Sequence, residues 1–328
     1  AIQKRHWEEI MSITGHHWRL DPDAFRLQSI VDANMLKVLD EVQDIASSSV
    51  READIERRYN ELIAAWKDQE LSFSEFKARG PIILKGDEAT SLKEALEEAL
   101  VQLGSAIASR YCAPFRAEAN MWSGKLTSIM ETLNAWLDVQ SLWMYLEAVF
   151  GSGDIMKQLP AEAKRFAMID KQWVKIMHKA AEISSVVDFC YGNDLLKALP
   201  YLKDQLESCQ RALSSYLGQK RNAFPRFYFI SDEDLLEILG QSKNPVVIQS
   251  HLKKLFAGIN TVKFNENNTA ITHMISSDLE TVPLASPVDI TGTNVEDWLI
   301  NLADVMRTTL QKLLAKCSAL ENASDAAT

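Results

Sequence analysis

The sequence predicts a mainly α-helical fold, an elongated stack of helix bundles with a small β-hairpin and a small antiparallel sheet inserted. Apolar residues recur at alternating steps of three and four over long stretches, most regularly across residues 115–150, and this is a helical period. Only 12 Gly and 9 Pro occur in 328 residues, so regular structure should have few interruptions. Short runs at 71–84 and 261–290 combine β-branched or aromatic residues with turn residues, which is typical of antiparallel strands.

The first predicted part, residues 1–150, is an N-terminal helical bundle. Its predicted elements are, in order, a helix from Lys4 to Ile13, a helix from about Ser29 to Glu70, the hairpin near 71–84, a helix capped by Asp87 and a long helix over 115–150. Three consecutive serines, Ser47 to Ser49, weaken the apolar stripe of the second helix, and a bend is expected there.

The second predicted part, residues 151–320, continues with helices and a sheet, and residues 321–328 are expected to form a disordered tail. Its elements are, in order, a helix with Pro160 in its first turn, a helix over Leu195–Tyr216, an extended segment at 224–230, a helix over Asp232–Leu239 capped by Ser231, a helix from Val246, the sheet at 261–290 and a last helix capped by Asn294. The segment 224–230, FPRFYFI, is predicted to be extended because it is short and aromatic, and because Pro225 has no amide proton to donate to a helix.

Composition excludes several classes of function. A net charge of −10 disfavours general affinity for nucleic acids or anionic membranes, which are themselves polyanions. No apolar run approaches the roughly 18 residues of a membrane span. The four cysteines are widely spaced with no CxxC pair, so neither a zinc site nor a disulfide framework is predicted, and a reducing compartment fits. The first residue is Ala and helical patterning starts at once, so we expect a fragment of a longer polypeptide.

The sequence also lacks recognisable catalytic chemistry. Residues 124–127, GKLT, superficially resemble a phosphate-binding loop, but the preceding glycine is absent and the segment lies in the predicted long helix. His16 and His17, near Asp21 and Asp23, are adjacent in a polar loop and are expected to be surface residues. His178 and His251 are expected to be exposed or cap-like, and His273 to lie in a strand. We therefore predict no catalytic, cofactor-binding or metal-binding residue.

Large aromatic residues admit two interpretations. Trp122, Trp136 and Trp143 follow core spacing and are expected to pack in the interior, although a ligand platform would use the same residue type. Arg5, His6 and Trp7 either pack an N-terminal helix through Trp7 or dock on another domain.

One block carries a family resemblance. Residues 220–256, KRNAFPRFYFISDEDLLEILGQSKNPVVIQSHLKKLF, resemble the linker region of dynein heavy chains. Further motifs follow in the family's order: RHW at residue 5, WLDVQSLWMYLEAVF at residue 136, GDIMKQLPAEAKRF at residue 153 and WL at residue 298. The stretches RHWEEIMSITGH, VREADIE and WMYLEAVFGSGDIMKQLPAEAKRF are most similar to the gamma-type heavy chain of axonemal outer-arm dynein. Leu255 is a departure, because many members have Cys there.

The resemblance implies a function. In dynein heavy chains this region is a mechanical linker, or lever arm, that lies across a ring of AAA+ modules and is remodelled by ATP hydrolysis to drive microtubule-based movement of cilia and flagella. It implies an axonemal, cytoskeletal location. ATP and Mg²⁺ would bind in the ring of the full chain, not in this segment. The implied partners are the AAA+ ring of the same heavy chain and other dynein subunits or neighbouring arms, with the microtubule contacted only indirectly.

Two sets of residues follow from this interpretation. The candidate linker docking or packing residues are Arg5, His6, Trp7, Arg221, Phe224, Pro225, Arg226, Phe227 and Tyr228. The candidate hinges are Gly151, Gly153, Gly192, Gly240 and Pro245. The basic cluster Lys220, Arg221 and Arg226 is either a solvated helix end or a contact with another part of a larger protein.

Two other classes of function compete with the lever. A static helical scaffold or coiled-coil interaction module would share the long heptad helix, but the aromatic segment and the sheet argue against a simple repeat rod. A small helical enzyme is disfavoured because no catalytic site is recognised.

Overall fold

The computed structural model describes residues 2–21, 26–151, 153–192, 195–241 and 244–325. The α-helices are α1 Lys4–Thr14, α2 Leu27–Asp32, α3 Leu39–Lys67, α4 Gly86–Ala108, α5 Arg116–Phe150, α6 Gly153–Gln158, α7 Pro160–Ile183, α8 Val186–Gly192, α9 Leu195–Ala223, α10 Asp232–Gly240, α11 Pro245–Leu255 and α12 Val295–Asp325. Short 3-10 helices cover Met35–Val38, Arg110–Cys112 and Pro225–Phe229. Helices account for most of the described residues, which confirms the mainly α prediction.

The strands form two small antiparallel sheets. They are β1 Phe73–Glu75, β2 Pro81–Leu84, β3 Thr261–Phe264, β4 Ala270–Ile275 and β5 Thr281–Asp289. In the hairpin, Phe73 lies opposite Leu84. In the second sheet the order is β3-β4-β5, and Met274 pairs with Val262 on one side and Val282 on the other. Both predicted β insertions are confirmed.

The chain divides into two compact units. The first contains residues 1–140 and 172–201, and the second contains residues 141–171 and 202–328. The divisions therefore fall inside α5, α7 and α9. None of the helices in the described ranges combines the length and apolar composition that a bilayer crossing needs.

The core of the first unit is built around α5. Trp136 is fully buried, with its ring centroid 5.3 Å from that of Phe189, and its indole N–H donates to the sulfur of Met177 at 3.1 Å. The Gln140 side chain satisfies both backbone groups of Leu84, accepting from its N–H at 2.8 Å and donating to its carbonyl at 3.1 Å. One polar side chain on the α5 seam thereby holds the end of the hairpin, whose main-chain groups would otherwise be buried without partners.

In the second unit, packing joins helices to the small sheet. The rings of Phe150 and Phe166 stack with centroids 5.4 Å apart, and the Trp143 indole N–H donates to the carboxylate of Asp170 at 3.1 Å. On α12, the Thr309 hydroxyl accepts from the backbone N–H of Ala285 in β5 at 2.9 Å. The tryptophan stripe on α5 is therefore interior packing, as its spacing predicted.

One predicted detail of the helices was wrong. The helix expected from Ser29 to Glu70 is interrupted at residues 33–38, where Asn34 has a left-handed backbone (φ 45°) and a 3-10 turn follows. Helix α3 continues through Ser47–Ser49, where a bend was expected, and the buried Ser49 hydroxyl donates to the carbonyl of Ala46 at 2.7 Å. This bond satisfies the hydroxyl within the helix.

Helix ends also differ in part from prediction. Asp87 does not cap α4, which begins one residue earlier at Gly86, so Asp87 lies in the first turn. Ser231 does cap α10, since its hydroxyl accepts from the N–H of Asp234 at 3.1 Å. The Asn294 side chain binds the Asp297 carboxylate at 3.0 Å. Helix α12 extends to Asp325, so residues 321–325 are helical where a disordered tail was expected, and residues 326–328 lie outside the described ranges.

The four thiols differ in accessibility, and this gives a first prediction. Cys112, Cys190 and Cys209 are buried, Cys317 is exposed, and burial raises the pKa of Cys190 to about 12. Because only an accessible thiolate reacts, a colorimetric disulfide reagent at pH 8 is expected to titrate one thiol rapidly and all four in urea. Cys317→Ser should remove the rapid phase. A second rapidly reacting thiol in the folded wild-type chain would contradict this burial.

Candidate docking segment and helix joints

The aromatic segment, residues 224–230, lies in the second unit between α9 and α10. Residues 225–229 form a 3-10 helix instead of the predicted extended strand. Proline is tolerated here because it occupies the first turn, where its missing N–H would have no helical partner. In a 3-10 helix, residues three apart lie on one side. Phe224 and Phe227 accordingly both enter the core, with ring centroids 5.0 Å apart in an edge-to-face arrangement.

Arg221 holds the aromatic segment against the end of α9. Its guanidinium donates to the carbonyls of Phe227 at 3.4 Å and Ile230 at 3.2 Å, and pairs with the Asp232 carboxylate at 2.6 Å. The side chain is largely buried. A single charged group thus binds two main-chain oxygens at the end of the 3-10 turn, where helical partners become few.

Arg226 fastens the same segment to the end of α11. Its guanidinium donates to the Leu255 carbonyl at 2.9 Å and lies 4.6 Å from the ring centroid of Phe256. A cation at a helix C-terminus interacts favourably with the free carbonyls and the helix dipole. The basic cluster is therefore engaged within the second unit, and Lys220 in turn pairs with Glu296 on α12.

The outer side of the aromatic segment presents two large rings to the surface. Tyr228 is 63% exposed and Phe229 is 72% exposed. The Tyr228 hydroxyl donates to the Asn222 side chain at 3.1 Å, and the Arg221 guanidinium lies 5.8 Å from the Tyr228 ring centroid. Of the predicted docking residues in this segment, Tyr228 is exposed while Phe224 and Phe227 are internal. Phe229, which the sequence analysis did not select, shares the exposed side.

Residues 5–7 bind within the first unit. Arg5 and the buried His6 both contact the Glu52 carboxylate on α3, at 2.7 and 2.9 Å. The other imidazole nitrogen of His6, Nδ1, accepts from the N–H of Gln3 at 3.0 Å. Trp7 packs edge-to-face on Trp18 at 6.2 Å. These contacts attach α1 to its surroundings through charge and aromatic packing together.

All five candidate hinges lie at ends of helices. Gly153 begins α6, Gly192 ends α8, Gly240 ends α10 and Pro245 begins α11, while Gly151 directly follows α5. A Cβ at Gly151 would stand 2.7 Å from the Glu147 carbonyl oxygen, so only glycine fits that turn. The neighbouring residues 152, 193, 242 and 243 lie outside the described ranges.

The loop-like motif at 124–127 is helical. It lies within α5, as predicted, and the Lys125 ammonium is 4.8 Å from the Trp122 ring centroid and 5.3 Å from that of Tyr191. The Lys125 ammonium thus contacts aromatic rings of its own unit. A phosphate-binding loop requires free backbone amides, which a helix interior does not offer.

The prediction that His251 is exposed was wrong. It is 5% exposed on α11, and its Nε2 lies 3.0 Å from the Glu237 carboxylate of α10. The sequence did contain a signal, because His251 falls three residues after Ile248 and four before Leu255 on the buried stripe of the helix. Asp234 lies beside it, and the Lys254 ammonium, hydrogen-bonded at 2.7 Å, lowers the pKa of that carboxyl.

Comparison with known proteins identifies the class. The family described as "Dynein heavy chain, N-terminal region 2" matches residues 1–317. The chain belongs to the dynein heavy chain family.

Several relatives are similar over nearly the whole chain. The mouse dynein axonemal heavy chain 5 is 43% identical over 321 residues, which is 97% of this chain and 7% of the relative. The dynein gamma chain of the flagellar outer arm of Chlamydomonas reinhardtii is 43% identical over 319 residues, 96% of this chain and 7% of that protein. Cytoplasmic dynein 2 heavy chain 1 of Caenorhabditis elegans is 37% identical over 326 residues, 97% of this chain and 8% of the relative.

These matches confirm the family prediction and the resemblance to the gamma chain. The axonemal and flagellar names among the relatives also confirm the predicted cytoskeletal location in cilia and flagella. The chain spans less than a tenth of the length of the relatives it matches.

Proposed function

We propose that this chain is the mechanical linker of an axonemal dynein heavy chain of the outer-arm gamma type. In this proposal the linker bends and straightens against the AAA+ ring of the same polypeptide as the ring hydrolyses ATP, and so drives microtubule-based motility. The observation that carries the proposal is the family match over residues 1–317, which includes every motif of the linker resemblance.

Stiffness is the first requirement of a lever, and α5 supplies it. The helix has 35 residues, so at about 1.5 Å per residue it is roughly 50 Å long. Its apolar seam is buried along its length, from Ala119 through Leu126, Leu133 and Trp136 to Leu146. A helix held by packing along one whole side resists bending more than an isolated helix does.

Bending is the second requirement, and the candidate hinges sit where helical hydrogen bonding stops. A joint between helices can change its φ and ψ angles without breaking the packed interior of either helix. Gly151 and Gly153 flank one such joint, and Gly240 and Pro245 flank another. We assign the change of shape to these two joints.

Docking on the ring is assigned to the exposed rings of the aromatic segment. Tyr228 and Phe229 offer apolar area on a backbone that Arg221 and Arg226 hold in place. Large aromatic side chains on a fixed support are effective contacts, because little conformational freedom is lost on binding. ATP and Mg²⁺ belong to the ring in this proposal, other dynein subunits or neighbouring arms are further partners, and the microtubule is contacted indirectly.

Distance measurements in the full heavy chain test the bending. Donor and acceptor labels would replace Met144 and Met156, which flank residue 152 and are partly exposed. A second pair would flank residue 242. At least one pair is expected to change its distance between the ATP and ADP states. A matched control pair at Met121 and Met144 lies within α5 and should not change.

The static scaffold gives a different outcome. If both flanking pairs keep their distances in the two nucleotide states, the lever proposal is wrong and the scaffold is favoured. ATP turnover separates the enzyme class from both, because the 328-residue chain alone is expected to hydrolyse none. ATP hydrolysis that remains with this chain in preparations free of the ring would exclude both the lever and the scaffold.

A further inference from the structure

We propose that Asp234, Glu237 and His251 form a binding site for a divalent transition metal of the Zn²⁺ class. One imidazole nitrogen and one oxygen from each carboxylate would be the ligands, with water completing the coordination. The proposal concerns the second unit alone and does not depend on the lever function.

The donor set fits such a metal, and the separation of Asp234 from the imidazole matches its spacing. The three ligand atoms lie within 4.8 Å of one another, and His251 Nδ1 is 3.5 Å from Asp234 Oδ1. Zinc bonds to nitrogen and oxygen are about 2.0–2.2 Å, so the ligands of a tetrahedral site are roughly 3.3–3.6 Å apart. Mixed imidazole and carboxylate ligands favour a transition metal over Mg²⁺ or Ca²⁺, which prefer oxygen alone.

The second observation is an unmet polar group. His251 Nδ1 is buried and has no hydrogen-bond partner, and it faces the Asp234 carboxylate. Buried polar atoms without partners are rare in folded proteins, and each one calls for an explanation such as a missing ion or water. His6 is a useful contrast, because it is equally buried and both of its ring nitrogens have partners.

The elements explain why the three side chains converge. Asp234 and Glu237 are three residues apart on α10, so they lie on the same side of that helix. His251 projects from α11, which packs against α10. A bound metal would therefore fasten α10 to α11, on either side of the joint at residues 241–244.

The local charge favours a cation. The site contains two carboxylates and one ammonium, that of Lys254. The ammonium binds Asp234 Oδ2 at 2.7 Å, and Asp234 Oδ1 is directed at the imidazole. Glu237 contacts the other ring nitrogen, Nε2, at 3.0 Å, and its side chain is about half exposed, so it can leave Nε2 and turn toward a metal held at Nδ1. Lys254 is the one group among these that opposes the metal, since both compete for the same carboxylate.

Zn²⁺ binding to the full 328-residue chain tests the site. The chain would carry Cys317→Ser, because an exposed thiol is itself a zinc ligand, and would have no affinity tag. Calorimetry is expected to give one Zn²⁺ per chain, Co²⁺ should show the absorption of a tetrahedral site, and Mg²⁺ should not compete. Circular dichroism before metal addition would establish that the chain is folded.

Variants assign the ligands. Asp234→Asn and Glu237→Gln are each expected to weaken Zn²⁺ binding at least about tenfold, since each removes one charged ligand. Glu237→Gln is the decisive variant, because a half-exposed side chain can be changed without unfolding the helix. Lys254→Met is expected to strengthen binding, and His178→Ala, at an exposed histidine on α7, to leave it unchanged.

Two results would overturn the proposal. One is a folded chain that binds no stoichiometric Zn²⁺. The other is Glu237→Gln or Asp234→Asn binding Zn²⁺ as tightly as the parent, which would mean that His251 is only a structural link between two helices.

Discussion

Replacing Trp136 with alanine is expected to lower the free energy of unfolding of the chain by about 3–5 kcal/mol, the usual cost of removing a large buried aromatic side chain. Trp136 is fully buried, packs against Phe189 and bonds to the sulfur of Met177. Trp136 lies on α5 and these two neighbours lie on α8 and α7, so the cavity cannot close without moving helices. Urea unfolding followed by circular dichroism measures the change.

The matched control for this variant lies on the same helix. Met121 is about half exposed, so Met121→Ala should change the free energy of unfolding by no more than about 0.5 kcal/mol. A Trp136→Ala chain within 1 kcal/mol of the wild type would mean that the α5 seam is not the core of the first unit. The stiffness assigned to the lever would then lose its basis.

Lys220→Met is expected to lower the free energy of unfolding by about 3–5 kcal/mol, because it leaves the Glu296 carboxylate buried without its cation. The Lys220 and Glu296 side chains are 17% and 9% exposed, and they join α9 to α12. Glu296 Oε2 has no hydrogen-bond partner, so Lys220 is the group that compensates its charge. Lys220 also lies 5.5 Å from the ring centroid of Tyr216, whose pKa is raised to about 12 by burial and by the Glu296 charge.

A double-mutant cycle identifies the cause. Adding Glu296→Gln to Lys220→Met removes the unpaired charge, so the double variant should be more stable than the single one. Arg307→Met is the matched control on α12, since the Arg307–Asp304 pair is well exposed and its loss should be barely measurable. If the two buried substitutions change the free energy of unfolding additively, the loss of stability does not come from the broken charge pair.

Local patterns predicted helix α5 and the Ser231 cap of α10 well. The seven-residue repeat of 115–150 located α5 to within a residue, because a continuous buried seam fixes both the period and the side of the helix. Ser231 followed by three acids predicted a helix start, since both the hydroxyl cap and the dipole act within one turn. The short β-branched runs and turn residues of 261–290 likewise predicted the sheet.

The parts that sequence reasoning missed depend on distant residues. The short helix α2 is bound by Trp18, whose indole N–H donates to the Ser29 carbonyl at 3.0 Å, eleven residues along the chain. The 3-10 turn of the aromatic segment is held by Arg221, which binds the Phe227 and Ile230 carbonyls, and by Arg226, which binds the Leu255 carbonyl of α11. The candidate metal site was missed because fourteen residues and a turn separate His251 from Glu237, and neither has an obvious ligand spacing.

Arg226 reaches residue 255 through a main-chain oxygen, an atom that every amino acid possesses. A different side chain at residue 255 therefore still permits this hydrogen bond, provided that it fills the same interior space. A family member with cysteine at that buried position, as the resemblance implies for many, can therefore keep the same attachment as this chain with leucine.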